Sequence, residues 1–169
     1  FMHHISKPIS TRICIIRHGE TGWNAEKRIQ GHTDIPLSET GRAQALAMAF
    51  NAAHHRFHAV YSSDLLRAVE TAQALAQREG HEVKLLPQLR ERHYGIFQGI
   101  TAAEGAERYP QAYAHYMARD LDFDFETGES LRQFAQEGTG NAIFLDGSVD
   151  GMERTLRQLL ALNQVDRTD

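Results

Sequence analysis

A guanidinium, an imidazole and a glycine stand in a row at Arg17-His18-Gly19, directly after the apolar run Ile13 to Ile16 and ahead of Glu20, Thr21 and Asn24. Neutral imidazole at physiological pH is a competent nucleophile toward phosphorus. An adjacent guanidinium can neutralise phosphoryl oxygens while charge spreads over them in flight, and glycine lets the backbone approach closely. These types therefore suit attack by His18 on a phosphate ester. For an isolated Arg-His-Gly, the plainer reading is a histidine that merely caps a turn at a strand end. A second group, His54-His55 with His58, has imidazoles four residues apart on one helical face, the spacing of a metal pair. No acidic third ligand stands at a recognised spacing, so a solvated helix end is the better account.

The elements that must position His18 are legible around it. Ile13 to Ile16 are mostly β-branched and continuously apolar, as in a strand buried on both faces of a parallel sheet. That strand ends at Arg17, so the His18 loop falls at a strand's carboxyl end, where open α/β sheets bind ligands. Leu37 and Ser38 supply a staple and an N-cap, and Ala43, Leu46, Ala47 and Phe50 then recur as the buried stripe of a surface helix. Ala59-Val60-Tyr61 reads as a second strand, closed by Ser62-Ser63-Asp64. A helix with Leu65, Val69, Ala72, Leu75 and Ala76 on one face follows it. Val83 to Leu86 make a third strand before Pro87. This alternation predicts an α/β fold: three layers, α/β/α, with a mostly parallel central sheet. Gly99 to Arg119 predicts a helical excursion in which Pro110 opens a second helix, and Asp120 to Glu126 an acidic, Phe-bearing loop. Ser130 and Gln133 match a capping box, whose helix meets Gly138-Thr139-Gly140 within two turns.

Composition narrows the function classes. At 169 residues the chain fits one domain, residues 12–169 behind an N-terminal tail, residues 1–11. Hydrophobic content of 41% with 24% charged residues is globular, and no apolar run is long enough to span a bilayer. Net charge of -4 argues against a nucleic-acid surface. The single cysteine, Cys14, excludes a disulfide framework and reads as a buried, inert thiol. Phe1 to Ser10 lack the features of a secretory signal, so the cytoplasm is expected. Phe1 in place of an initiator Met says the true start is not shown, and His3-His4 belong to a native or an added tail.

Arg17-His18-Gly19-Glu20-Thr21 followed by Trp23-Asn24 closely resembles the signature of the histidine phosphatase superfamily, which includes cofactor-dependent phosphoglycerate mutases and fructose-bisphosphatase domains. Arg28, Gln30-Gly31, Asp34, Pro36-Leu37 and Thr40-Gly41 follow in the order such enzymes show. Ser62 to Arg67 matches their second arginine motif, and Leu89 to Gly95 resembles their acidic motif, with Gln98-Gly99 after it. The motifs run from about Arg12 to Phe134.

The resemblance implies a phosphoglycerate mutase-like fold in which His18 takes the phosphoryl group. Arg17, Asn24 and Arg67 would contact its oxygens, and Glu91 would protonate the leaving group or activate water. Gly19, Gln30, Gly31, Arg92, His93 and Tyr94 join these as candidate phosphate- and substrate-binding residues. Arg67 falls in the first turn of its helix, where cation and backbone amides point together at an anion. Glu91 needs a raised pKa to donate a proton near neutrality. Burial would supply this, and Arg90 and Arg92 would oppose it if they pointed inward. Both are expected to face elsewhere or to contact substrate. No metal is implied, because arginines supply the positive charge.

One departure stands out. The family uses a second histidine, in a His-Gly step after a later strand, and this sequence has none after His115. In one reading Asn141 to Ile143 and Leu159 to Asn163 resemble the family's closing hairpin, and an internal segment is missing between about 135 and 141. In the other, Ala142 to Leu145 is the late strand and Asp146-Gly147 replaces His-Gly. The helical spacing of Met152, Leu156, Leu159 and Leu160 does not suit a hairpin. The leading expectation is a phosphatase acting on a small soluble phosphate ester, without cofactor. A phosphoglycerate mutase, which would need 2,3-bisphosphoglycerate, is its rival, and an inactive phosphate-binding module is the alternative of another class. Expected partners are the ester itself and, left open, a second copy in a homodimer. Nucleic acid and membrane are not expected.

Overall fold

Side-chain oxygens of Thr21, Ser38, Thr101 and Ser130 start four of the helices, and the computed structural model describes residues 14–137. Thr21 and Asn24 close a reciprocal capping box around the short α1 (Gly22–Ala25). Ser38 accepts from the Gly41 amide and opens α2 (Glu39–Asn51). Strand β1 (Val60–Ser62) leads into α3 (Leu66–Glu79), which stops at Gly80 in the left-handed conformation. The chain returns as β2 (Val83–Leu85), parallel to β1 with Val60 opposite Val83 and Ser62 opposite Leu85. Beyond it lie α4 (Ala102–Arg108) and α5 (Pro110–Met117), the latter opened by its proline. The Ser130/Gln133 box opens α6 (Leu131–Glu137).

The architecture is α/β, with a β1-α3-β2 unit supplying the parallel pair. Two cores support it. Ala49, Val60, Leu75 and Ala76 are buried together, with Ile16, Met48, Phe57 and Val83 packed against them. Phe97, Ile100, Ala112 and Phe125 form an aromatic-rich second core with Tyr94, Tyr116 and Phe123 around it. Among the described residues no helix is long and apolar enough to cross a membrane.

Two expectations need correction. Residues 14–16 are not a strand: Ile16 packs on the first core, but Ile15 is 40% exposed and the Cys14 thiol is exposed rather than buried. A strand exists by its ladder, and among the described residues the one sheet is β1-β2, which this segment does not join. The buried stripe of α2 is also displaced. Gly41, Ala45 and Ala49 face inward, while Leu46 and Phe50 are 65% and 69% exposed. Close approach decides this, since a Cβ on Gly41 would lie 1.9 Å from the Glu20 carbonyl oxygen. At Gly41 no side chain fits, and Ala45 and Ala49 continue the same buried face.

Several expectations lie outside the described residues: the tail 1–11, Ile13, Gly138 to Gly140 and the closing hairpin of Asn141 to Ile143 with Leu159 to Asn163. So do the alternative strand Ala142 to Leu145 with Asp146-Gly147, the Met152 to Leu160 spacing and the far side of the gap near 141.

Candidate active site

The His18 loop is clamped between the starts of α2 and α3. Ser38 donates its amide to the Glu20 carbonyl at 2.9 Å, and the Gly19 amide donates to the Thr71 hydroxyl at 3.0 Å. Thr71 passes its own proton to the Arg67 carbonyl at 2.7 Å, within α3. Gly19 has to be glycine here, because a Cβ would sit 2.4 Å from the Gly41 carbonyl oxygen. The partly buried His18 ring lies with Nδ1 2.7 Å from the Gly19 carbonyl. A carbonyl only accepts, so Nδ1 carries the hydrogen and the Nε2 lone pair is left for chemistry. Burial lowers the His18 pKa to about 4 against the Gly19 bond, which favours the charged form, and Arg67 and Arg17 lower it further. The ring is neutral at physiological pH.

Arg67 is 2% exposed, and its guanidinium donates to the carbonyls of Gly31 at 2.7 Å and Thr33 at 3.1 Å. Burial pulls its pKa down, opposed by the carboxylates of Glu91 and Asp34. The Asp34 carboxylate also accepts from the Leu66 amide at 2.7 Å, tying the same turn to the start of α3. Gly31 has a positive φ of 54° and packs on Gln98. Gln30 is buried and accepts from the Thr21 hydroxyl at 3.0 Å, while Asn24 serves the α1 cap through its Oδ1.

The Glu91 carboxyl is pushed up by burial, against its bond from the Arg92 amide and the charges of Arg67, Arg17 and Arg92. Neither neighbouring guanidinium is spent on it. Arg90 forms an ion pair with Asp64, which holds that carboxyl below the ordinary range. Arg92 turns into the second core, donating to the carbonyls of Glu129 at 2.7 Å and Phe123 at 2.9 Å and lying over the Phe125 and Tyr94 rings. His93 takes the Gly95 amide on Nδ1 at 3.0 Å, and Tyr94 packs edge-on against Phe125 and Tyr116.

The predicted residues thus form two groups. Arg17 and Arg67 act on both His18 and Glu91, so an imidazole, a carboxyl and two cations share one electrostatic centre. Gln30, Gly31 and Asn24 stand as the scaffold of that centre, and the Arg92 side chain is anchored behind Glu91. Sequence reasoning missed His32, whose Nε2 reaches the Glu91 carbonyl at 2.7 Å, as well as Thr71 and the Asp64 partner of Arg90. Only the interval between the Gln30-Gly31 and Asp34 motifs could have drawn attention to His32. His54, His55 and His58 are exposed, and among the described residues no group of three His, Cys, Asp or Glu is arranged to hold a metal. A neutral imidazole and a carboxyl of raised pKa that both answer to the same two cations have the chemistry to carry a phosphoryl group and manage its protons.

The family model for the histidine phosphatase superfamily, branch 1, matches residues 13–140. A phosphoglycerate mutase-like protein 4 of Arabidopsis thaliana is 45% identical over 122 residues, covering 70% of this chain and 53% of that protein. A metal-independent phosphoserine phosphatase of the same plant is 40% identical over 151 residues, 88% of this chain and 59% of that one. Among solved structures, a mycobacterial glucosyl-3-phosphoglycerate phosphatase in complex with VO3 superposes with a TM-score of 0.67 at 38% identity. That match covers 73% of this chain and 58% of the other. The chain therefore spans little more than half the length of these relatives.

Proposed function

On the premise that this chain belongs to the histidine phosphatase superfamily, we propose that it hydrolyses a small soluble phosphate monoester through a phosphohistidine at His18. The observation that carries this reading is the His18 ring itself, neutral, bound through Nδ1 to the Gly19 carbonyl and opposed by an acid whose pKa is raised. Nε2 attacks phosphorus in line, the bond to the ester oxygen breaks, and the protonated Glu91 carboxyl gives its proton to the departing alkoxide. Ionised Glu91 then takes a proton from water, whose oxygen attacks phosphorus. The bond to Nε2 breaks, inorganic phosphate leaves, and both residues return to their starting state. Arg17 and Arg67 supply the charge that the three phosphoryl oxygens require, so no metal enters the scheme. A relative named metal-independent supports that part. The substrate is the only partner this chemistry requires, and a cytoplasmic setting suits such an ester.

Mutase activity is the second reading, favoured by the 45% identity to a mutase-like relative. Turnover of p-nitrophenyl phosphate and phosphoserine, measured with and without 2,3-bisphosphoglycerate, separates the two. Hydrolysis independent of the bisphosphate is expected. Interconversion of phosphoglycerates only in its presence would replace the phosphatase by the mutase. No turnover in either arm, with phosphate still bound, would leave the inactive module that the lack of any histidine after His115 allows.

A further inference from the structure

Between the two carbonyls that grip Arg67 stands one imidazole. Gly31 and Thr33 accept from the guanidinium at 2.7 and 3.1 Å, and the ring of His32 reaches the other way to the Glu91 carbonyl at 2.7 Å. A carbonyl can only accept, so His32 Nε2 donates. A single three-residue turn thereby holds the phosphoryl-binding cation with its backbone and the acid with its side chain. We propose that His32 is a positioning residue that fixes Glu91 relative to Arg67 for proton transfer, an inference that rests on Glu91 serving as the acid.

His32 is itself held on two sides. Its amide donates to Gln98 Oε1 at 2.7 Å, and its ring meets His93 edge-on with centroids 4.8 Å apart. His93 is fixed in turn by the Gly95 amide on its Nδ1 and by its own amide to the Glu129 carboxylate at 2.9 Å. The charged and titratable groups around His32 are Glu129, His93, Arg90 and Asp64. Those around Glu91 are Arg67, Arg17 and Arg92. Burial keeps His32 below its usual pKa, so its ring adds no fixed cation beside Glu91 near neutrality. Loss of its donor frees the Glu91 backbone to drift from Arg67 and lets water reach the carboxyl.

The test uses the full chain labelled with 13C-glutamate and follows the Glu91 carboxyl by NMR titration in the wild type, His32→Phe and His32→Gln. Phenylalanine keeps a ring and removes the donor, while the glutamine amide reaches as far as Nε2. Where His32→Phe proves unfolded by circular dichroism, His32→Asn, whose amide is too short to reach Glu91, takes its place. In wild type and His32→Gln the carboxyl is expected to titrate above the ordinary glutamate range, and in the donorless variant to fall back toward it. In that variant kcat for p-nitrophenyl phosphate should drop by about 10- to 100-fold with KM little changed, and His32→Gln should recover it. The titration needs no turnover, so an inactive wild type would sink the phosphatase reading while still reporting on His32. An unmoved Glu91 titration in the folded donorless variant, or equal losses in His32→Gln, would overturn the proposal.

Discussion

His18 and Glu91 answer to the same two cations, Arg17 and Arg67, yet burial drives them to opposite assignments. Desolvation disfavours whichever form carries charge, so it lowers the pKa of the imidazole and raises that of the carboxyl. The two guanidiniums reinforce the first effect and oppose the second. One environment thus favours the neutral form of both groups, the pairing that the proposed phosphoryl transfer would use.

The pH profile follows from that pairing. His18 must be neutral, and its pKa of about 4 sets the acid limb of kcat/KM, while the raised pKa of Glu91 sets the alkaline limb. A bell-shaped profile of p-nitrophenyl phosphate hydrolysis is expected, with its acid limb near pH 4. An acid limb at the ordinary histidine value of 6.5 would contradict the described environment.

Glu91→Gln should separate activity from stability. The folded pKa of Glu91 lies above its ordinary value, so the stability it lends below that value is lost as pH rises through the raised one. His18 works in the opposite sense: its folded pKa is depressed, and stability falls as pH drops from 6.5 toward about 4. At neutral pH the glutamine variant should therefore be more stable by about 1 kcal/mol in urea unfolding, while turnover falls by about 100-fold or more. Equal or lower stability would show that ionised Glu91 carries no burial penalty.

Thr71→Val tests the clamp on the nucleophile loop. The hydroxyl connects the Gly19 amide to the Arg67 carbonyl, and valine keeps its shape without a hydrogen-bonding atom. A buried amide left unpaired costs about 1–3 kcal/mol. Urea midpoints should fall accordingly, with kcat reduced as His18 loosens; an unchanged midpoint would show that the amide finds another partner.

The displaced face of α2 is checked by a pair of substitutions. Leu46→Gln falls on the exposed side and should change stability by no more than about 0.5 kcal/mol. Ala49→Gln forces a larger side chain into the first core and should cost about 1–3 kcal/mol or more. The reverse ranking in thermal unfolding would restore the stripe of Leu46 and Phe50 as the buried one.

Much of this molecule was legible before any coordinates. Ser38, Pro110 and the Ser130/Gln133 box act within their own turns, so local chemistry reveals them. The expectation that Arg90 and Arg92 face away from the Glu91 carboxyl came from the chemistry an acid needs, and Arg90 is taken up by Asp64 while Arg92 is buried in the second core. What failed depended on distant neighbours. An apolar run became a strand at Ile13 to Ile16 on paper, whereas residues 14–16 join no ladder among the described residues. Hydrophobicity picked Leu46 and Phe50, whereas steric room beside Glu20 picked Gly41 and its small neighbours. His32 and Thr71 were missed for the same reason: each acts on a residue far along the chain, Glu91 and Gly19, and no local pattern encodes that.

Covalent capture is the most direct measurement. The full chain is incubated briefly with 32P-labelled phosphoserine, quenched in base and digested, and the labelled peptide is sequenced by mass spectrometry. The account predicts an acid-labile, base-stable label on His18 that disappears in His18→Ala together with turnover. Hydrolysis that proceeds without any label on His18, or that survives His18→Ala, would contradict it.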